Sequence, residues 1–240
     1  ILILVPFFSS QFDTWSWIVE ILLLIAVFIH SRSSGLRLTA ICLAAGYVAA
    51  LIPAGGGGMT RIGFLPWAGI LLLGLKQRGL NTAQSMFWSL LAAALLSALP
   101  VVPMVSEALH GENIQEKITS ALQYYEQQGT LQALEKQGMS VADLEKYLRI
   151  AMPIYYQLMP AIAGIIGMLE LGIAFLVYRI SRRKVQKSSP FSLFRLPWYT
   201  VWFAILGLAV YLGGDYLGAN ILVITGLNVM TVMAAISLLQ

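Results

Sequence analysis

From Met152 to Tyr178 the chain runs without a charged residue except Glu170. A helix needs about 20 apolar residues to cross the ~30 Å hydrocarbon core of a bilayer. A run of this length therefore predicts a membrane span, and the rest of the chain repeats the pattern. Further apolar runs are Trp15–His30, Leu38–Pro53, Ile62–Leu75, Ala83–Val105, Trp198–Leu212 and Leu217–Leu239. Ile1–Phe8 reads as the tail of a longer helix, which makes eight. The expected fold is all-α: one polytopic transmembrane bundle over residues 1–240, with about seven to eight spans. The least regular run is Ile62–Leu75, roughly 21 Å long at 1.5 Å per residue. It contains Pro66, so it either crosses a thinned region or dips in and returns.

Composition excludes the soluble alternatives. Charged residues make up 11% of the chain, against about 25% in soluble domains. That is too little to cover the surface of a water-soluble enzyme. The net charge of +4 does not point to nucleic acid, because the charges gather at the ends of the apolar runs. Cys42 is the single cysteine, so the chain forms no internal disulfide or zinc cluster. No charged segment or cleavage site precedes Ile1, and no signal peptide is read.

Lysine and arginine counting sets the threading. If 180–196 is cytoplasmic, alternation places Arg32, Arg37, Lys76, Arg78, Arg179, Arg182, Arg183, Lys184, Lys187 and Arg195 on that side. These are ten of the fifteen basic residues, and no acid joins them. Glu20, Asp215 and the acids of segment 106–150 fall outside. The expected location is the cytoplasmic membrane. The run Arg182–Lys187 is mainly a topology signal to which anionic lipid adds.

Segment 106–150 is the extracytoplasmic insertion. Ile114, Ile118, Ala121, Leu122 and Tyr125 recur at helical spacing with charges opposite. Ser140 with Asp143 marks a helix start, followed by the stripe Val141, Leu144, Leu148. The insertion is either a lid or amphipathic platform over the bundle, or a solvated connector.

Glu170 is the strongest candidate for function, since an acid inside a span is costly and faces protein or a wet cavity. Tyr156, Pro160, Ala163, Gly167, Glu170 and Ala174 share one helix face. Glu170 is therefore a ligand or proton site, or a paired structural acid. Gly55–Gly58, with Gly56 and Gly57 at the centre, permit close backbone approach or form a turn. Arg61 offers a forked donor to an anionic group, pairs with Glu20 or Asp215, or anchors the interface. Ala40–Ala50 and Ala92–Ala98 are small-residue helices suited to close packing. Asn228 and Thr225 read as interhelical hydrogen bonders. No paired intramembrane aspartates, zinc-binding helix motif, nucleophile elbow or phosphate loop occurs. The expectation is therefore no enzyme, no metal and no cofactor.

Thr39–Leu95 resembles a substrate-binding (S) component of an energy-coupling-factor transporter. The resemblance rests on Ala40–Ala50, the glycine loop, Gly63-Phe64-Leu65-Pro66-Trp67-Ala68-Gly69 and Gly74-Leu75-Lys76. More widely, Leu36 to about Leu208 resembles the YybS-like family of predicted bacterial membrane proteins, a domain of unknown function. That rests on Arg61–Gly79, the acidic segment before Pro153, and Phe191-Ser192-Leu193-Phe194-Arg195-Leu196-Pro197-Trp198. The first resemblance implies a subunit binding a vitamin-like small molecule. Its partners would be the lipid bilayer, a transmembrane coupling subunit and separate ATPases, with no nucleic acid. Its site would be lined by Gly56, Gly57, Arg61, Tyr156 and Glu170. The alternative is a non-transporting membrane scaffold that binds another protein through the insertion or a small-residue helix face.

Overall fold

The computed structural model describes residue 2 and residues 16–54, 63–103, 105, 113–136, 138, 140–181 and 197–238. The described residues are helical, with no strand among them. α1 (Ser16–Ser34) and α2 (Leu36–Ala54) form a hairpin. They are separated by Gly35 alone, whose φ of 84° is the left-handed turn that glycine adopts without penalty. α3 (Pro66–Gln77) starts with proline at its first position, where a missing N–H costs nothing. A tight turn joins it to α4 (Thr82–Ala98), whose cap Asn81 accepts from the Gln84 N–H at 2.8 Å. α4 ends in a 3-10 turn, Leu99–Val101, where Pro100 interrupts the α pattern.

The insertion contributes α5 (Asn113–Gln127) and α6 (Thr130–Lys136). Ser140 then caps α7 (Val141–Ile180), accepting from the Asp143 N–H at 3.2 Å. α7 is one 40-residue helix running through Pro153 and Pro160. It carries the end of the insertion, residues 141–150, into the span as one helix. α8 (Thr200–Tyr216) and α9 (Asn220–Leu238) close the chain as a second hairpin.

α7 is the axis of the bundle, with α1, α4, α5 and α9 packed on it. Its contact with α4 is close because both faces are small. A Cβ on Gly164 would lie 3.1 Å from the Ala94 carbonyl oxygen, and one on Gly167 would overlap Ser97 Oγ. The alanine-rich stretch of α4 thus packs as its sequence predicts. The main core joins Leu24, Phe28, Leu72, Phe87, Leu171 and Phe175. A second core, beneath α2, holds Leu23, Val27, Leu43 and Tyr47. α8 and α9 meet backbone to backbone: a Cβ on Gly226 would stand 2.7 Å from the Gly207 carbonyl oxygen.

Among the described residues, four helical stretches are long and apolar enough to cross a membrane: Trp17–Ser34, Thr82–Val101, Val141–Ile180 and Asn220–Leu238. Leu36–Ala50 and Thr200–Tyr216 are shorter. α3, with 12 residues, extends about 18 Å and does not cover a full ~30 Å core. The described residues thus hold four helices of spanning length together with shorter apolar helices, against the seven to eight spans expected. Apart from Leu2, which is buried against the second core, the run Ile1–Phe8 lies outside the described residues.

The ends of α1, α3 and α7 coincide. Phe28 meets Phe175 edge-on at 6.0 Å, and Lys76 Nζ sits 5.0 Å above the Phe175 ring. Arg32, Arg37, Lys76, Arg78 and Arg179 therefore share one end of the bundle, as the charge segregation predicts.

Candidate functional site

The insertion does not close over the bundle with its apolar face. Ile118 is buried with Leu144 and Leu148, and Ala121, Leu122, Tyr125 and Leu131 pack around them. The stripe of α5 is thus committed to the upper part of α7. Glu145 accepts from Arg149 at 2.8 Å along α7 itself, and a polar contact crosses the seam. Lys117 Nζ sits 4.7 Å above the Tyr156 ring.

Tyr156 belongs to this seam. Glu170 lies 14 positions further along the same helix, about 21 Å away by rise. The structure therefore does not bring these two expected site residues together. Gly56, Gly57 and Arg61 lie outside the described residues, as does the rest of the glycine loop.

Glu170 itself is buried, at 6% exposure. It meets a residue that the charge count had put outside: Glu20, one turn inside α1, hydrogen-bonds the Glu170 carboxyl group. The placement of Glu20 in the outer flank is thus corrected. α1 and α7 run side by side, and Leu24, Phe28, Leu171 and Phe175 fix their register. A carboxylate only accepts hydrogen bonds, so a bond between two carboxyl groups holds one proton. Two bare charges at this depth would repel each other, and each costs about 2.5–3.5 kcal/mol in a span.

Two further elements complete the site. Gly63, just before α3, presses its backbone against Glu20; a Cβ there would overlap the Glu20 carboxyl group. Tyr47 of α2 donates its hydroxyl to the Gly63 carbonyl. Its ring stacks on Phe64 at 5.7 Å and leans on Trp67 at 6.2 Å. Four helices thus converge on two carboxyl groups, a phenol and a peptide carbonyl, walled by aromatic rings. The set is rich in acceptors and suits a proton, an amine or another donor group. Among the described residues no group of three or more His, Cys, Asp or Glu side chains has the geometry to hold a metal ion.

Tyr47 and Gly63 were not singled out as site residues in the sequence, and Glu20 was read only as an outer acid and a partner for Arg61. The signal for Glu20 was present, since it interrupts Trp15–His30 as Glu170 interrupts Met152–Tyr178.

Asn228 acts as a bridge, as its sequence context predicts. Its Oδ1 accepts from the Ala161 N–H and its Nδ2 donates to the Gln157 carbonyl, both at 2.7 Å. It fills the helix ladder beside Pro160. Thr225 instead bonds its own helix, at the Ile221 carbonyl.

No curated protein and no solved structure matches the chain. The model of one family, DUF2232, described as a predicted membrane protein, matches residues 1–240. Charge distribution, apolar helices and this match agree that the chain belongs to the DUF2232 family of predicted membrane proteins.

Proposed function

We propose that this protein is the membrane-embedded substrate-binding subunit of a small-molecule transporter, and that the Glu20–Glu170 pair is the polar centre of its site. The observation that carries the reading is the pair itself. Acids inside spans are expensive and mark substrate or proton pathways, and here two are held together by Tyr47, Gly63 and a glycine-and-alanine packed axis. A ligand offering an amine or another donor replaces the shared proton without leaving a bare charge. The resemblance of Thr39–Leu95 to S components supports the same class, with a vitamin-sized ligand and separate energising subunits. Arg61 and the glycine loop immediately precede Gly63 in sequence and remain candidates for the outer rim. In this reading the protein is no enzyme, the basic end faces the cytoplasm, and the insertion lies outside the cytoplasmic membrane.

The scaffold alternative binds another protein through the insertion or a small-residue helix face. The packing of Ile118 on Leu144 and Leu148 covers one face of the insertion, while Tyr147 and Ile150 stay exposed, and the small face at Gly164 and Gly167 is taken by α4.

The test is purification from native membranes, followed by mass spectrometry of extracted small molecules. Wild type should carry a compound that Glu170→Gln loses at unchanged folded yield. Equal loss of yield would make Glu170 a structural acid, and no compound in either protein would return the scaffold reading.

A further inference from the structure

α7 carries two packed bodies and joins them by one helix. Above, Leu144, Leu148 and Met152 pack in the core of the insertion with Ile118 of α5 and Leu134 of α6. Below, Ile165, Met168, Leu171 and Phe175 pack in the main core of the bundle. Among the described residues, α7 gives neither core a side chain between Met152 and Ile165. That stretch holds both prolines.

The prolines and Asn228 set the backbone there. Pro153 and Pro160 have no N–H, so the carbonyls of Arg149 and Tyr156 lose the bond that a helix closes four residues on. An unbroken helix would close the next rung between the Ala161 N–H and the Gln157 carbonyl. Here the Asn228 amide spans these two groups, accepting from the first and donating to the second, both at 2.7 Å. One rung is therefore missing and the next is bridged from α9. Just below, α7 is pressed against α4 at Gly164 and Gly167. Sharp bends in helices gather at prolines and where a side chain enters the ladder, and both features coincide at this turn.

We propose that α7 is hinged over residues 157–161, with Asn228 of α9 as its latch. The upper part of α7 moves with α5 and α6 as one body against the bundle, as hinged elements do when a few residues absorb the change. That body reaches about 30 Å along α7 from the hinge, so a change of ~20° in bend carries its far end about 10 Å. A shift of α9 along α7 works the latch and is passed to the insertion, whatever the acid pair binds.

The test reads spin-label distance distributions on the whole chain in a Cys42→Ser background, in phosphatidylethanolamine–phosphatidylglycerol vesicles. The labelled positions are exposed. The pair Gln123→Cys and Leu176→Cys spans the hinge. Gln123→Cys with Tyr147→Cys stays within the upper body, and Leu95→Cys with Leu176→Cys within the bundle. Asn228→Leu should broaden the spanning pair by several ångströms and leave both controls unchanged. Pro160→Ala restores a donor to the Tyr156 carbonyl and should narrow the same pair. A spanning distribution unchanged by both substitutions would make α7 a rigid rod and overturn the hinge. Broadening of all three pairs by Asn228→Leu would overturn it as well, since the bundle would then be loosening as a whole.

Discussion

Replacing Asn228 by leucine removes the bridge between α9 and α7. In the native fold the Asn228 amide accepts from the Ala161 N–H and donates to the Gln157 and Ile224 carbonyls, each at 2.7 Å. The Ile224 contact lies within α9, and its loss leaves no group stranded. The other two cross between helices at the turn that Pro160 weakens, and no water is at hand to replace them. Interhelical hydrogen bonds in membranes contribute about 0.6 kcal/mol on average and about 1.7 at most. Two of them give an expected cost of about 1–3 kcal/mol for Asn228→Leu. Asn228→Asp is a sharper probe. It keeps the acceptor for Ala161 but turns an oxygen toward two carbonyls, so it should cost more than leucine. The assay is unfolding in mixed micelles with rising dodecyl sulfate, followed by circular dichroism. The expected order of stability is Asn, then Leu, then Asp. A leucine variant within ~0.3 kcal/mol of wild type, well below the average bond, with aspartate equal to it, would refute the bridge.

Other substitutions test the packing and the site. Gly226→Ala drives a methyl into the Tyr211 and Gly207 backbone, whereas Gly213 has nothing within 4 Å of an added Cβ. The first should cost about 1–3 kcal/mol and the second almost nothing, in the same micelle assay; equal effects would contradict the α8–α9 contact. Gly63→Ala displaces the flexible end of Glu20, so it should fold while losing whatever the pair binds. Retained binding would remove Gly63 from the site. Ile118→Ala empties the insertion core and should cost about 2–5 kcal/mol locally. Hydrogen exchange should then rise across α5 and α6 and stay unchanged in α4; a rise throughout would mean that the insertion and bundle unfold together. For the threading, single cysteines at Gln127 and Ser188 should label in intact cells with an impermeant reagent at the first site and not the second. The reverse pattern would invert the orientation.

The apolar runs made the helices legible, because the bilayer admits few other solutions. The burial of Glu170 was legible too, since Gly167 and Ala174 on its face gain nothing from lipid. Asn228 was readable as a bridge for the same reason: an amide in a span must find a partner. The partner itself was not readable, because the pairing of α9 with α7 is a tertiary choice. Proline ordinarily breaks a helix, yet α7 runs through Pro153 and Pro160. Here neighbouring Asn228 satisfies the ladder at Pro160, and lipid offers the backbone no competing water. Glu20 was misplaced because alternation of the spans assigned it to the outer flank by its place at the start of a run. Its pairing joins α1 to α7 across 150 positions, and no local pattern encodes such a contact.

The central claim is that Glu20 and Glu170 meet inside the bundle and share a proton. Infrared spectroscopy of the protein in lipid vesicles tests it through the carbonyl stretch of a protonated carboxylic acid. The account predicts such a band in the wild type, shifted or lost in both Glu20→Gln and Glu170→Gln. A wild-type spectrum without it, or a band indifferent to either substitution, would contradict the pair and the site built on it.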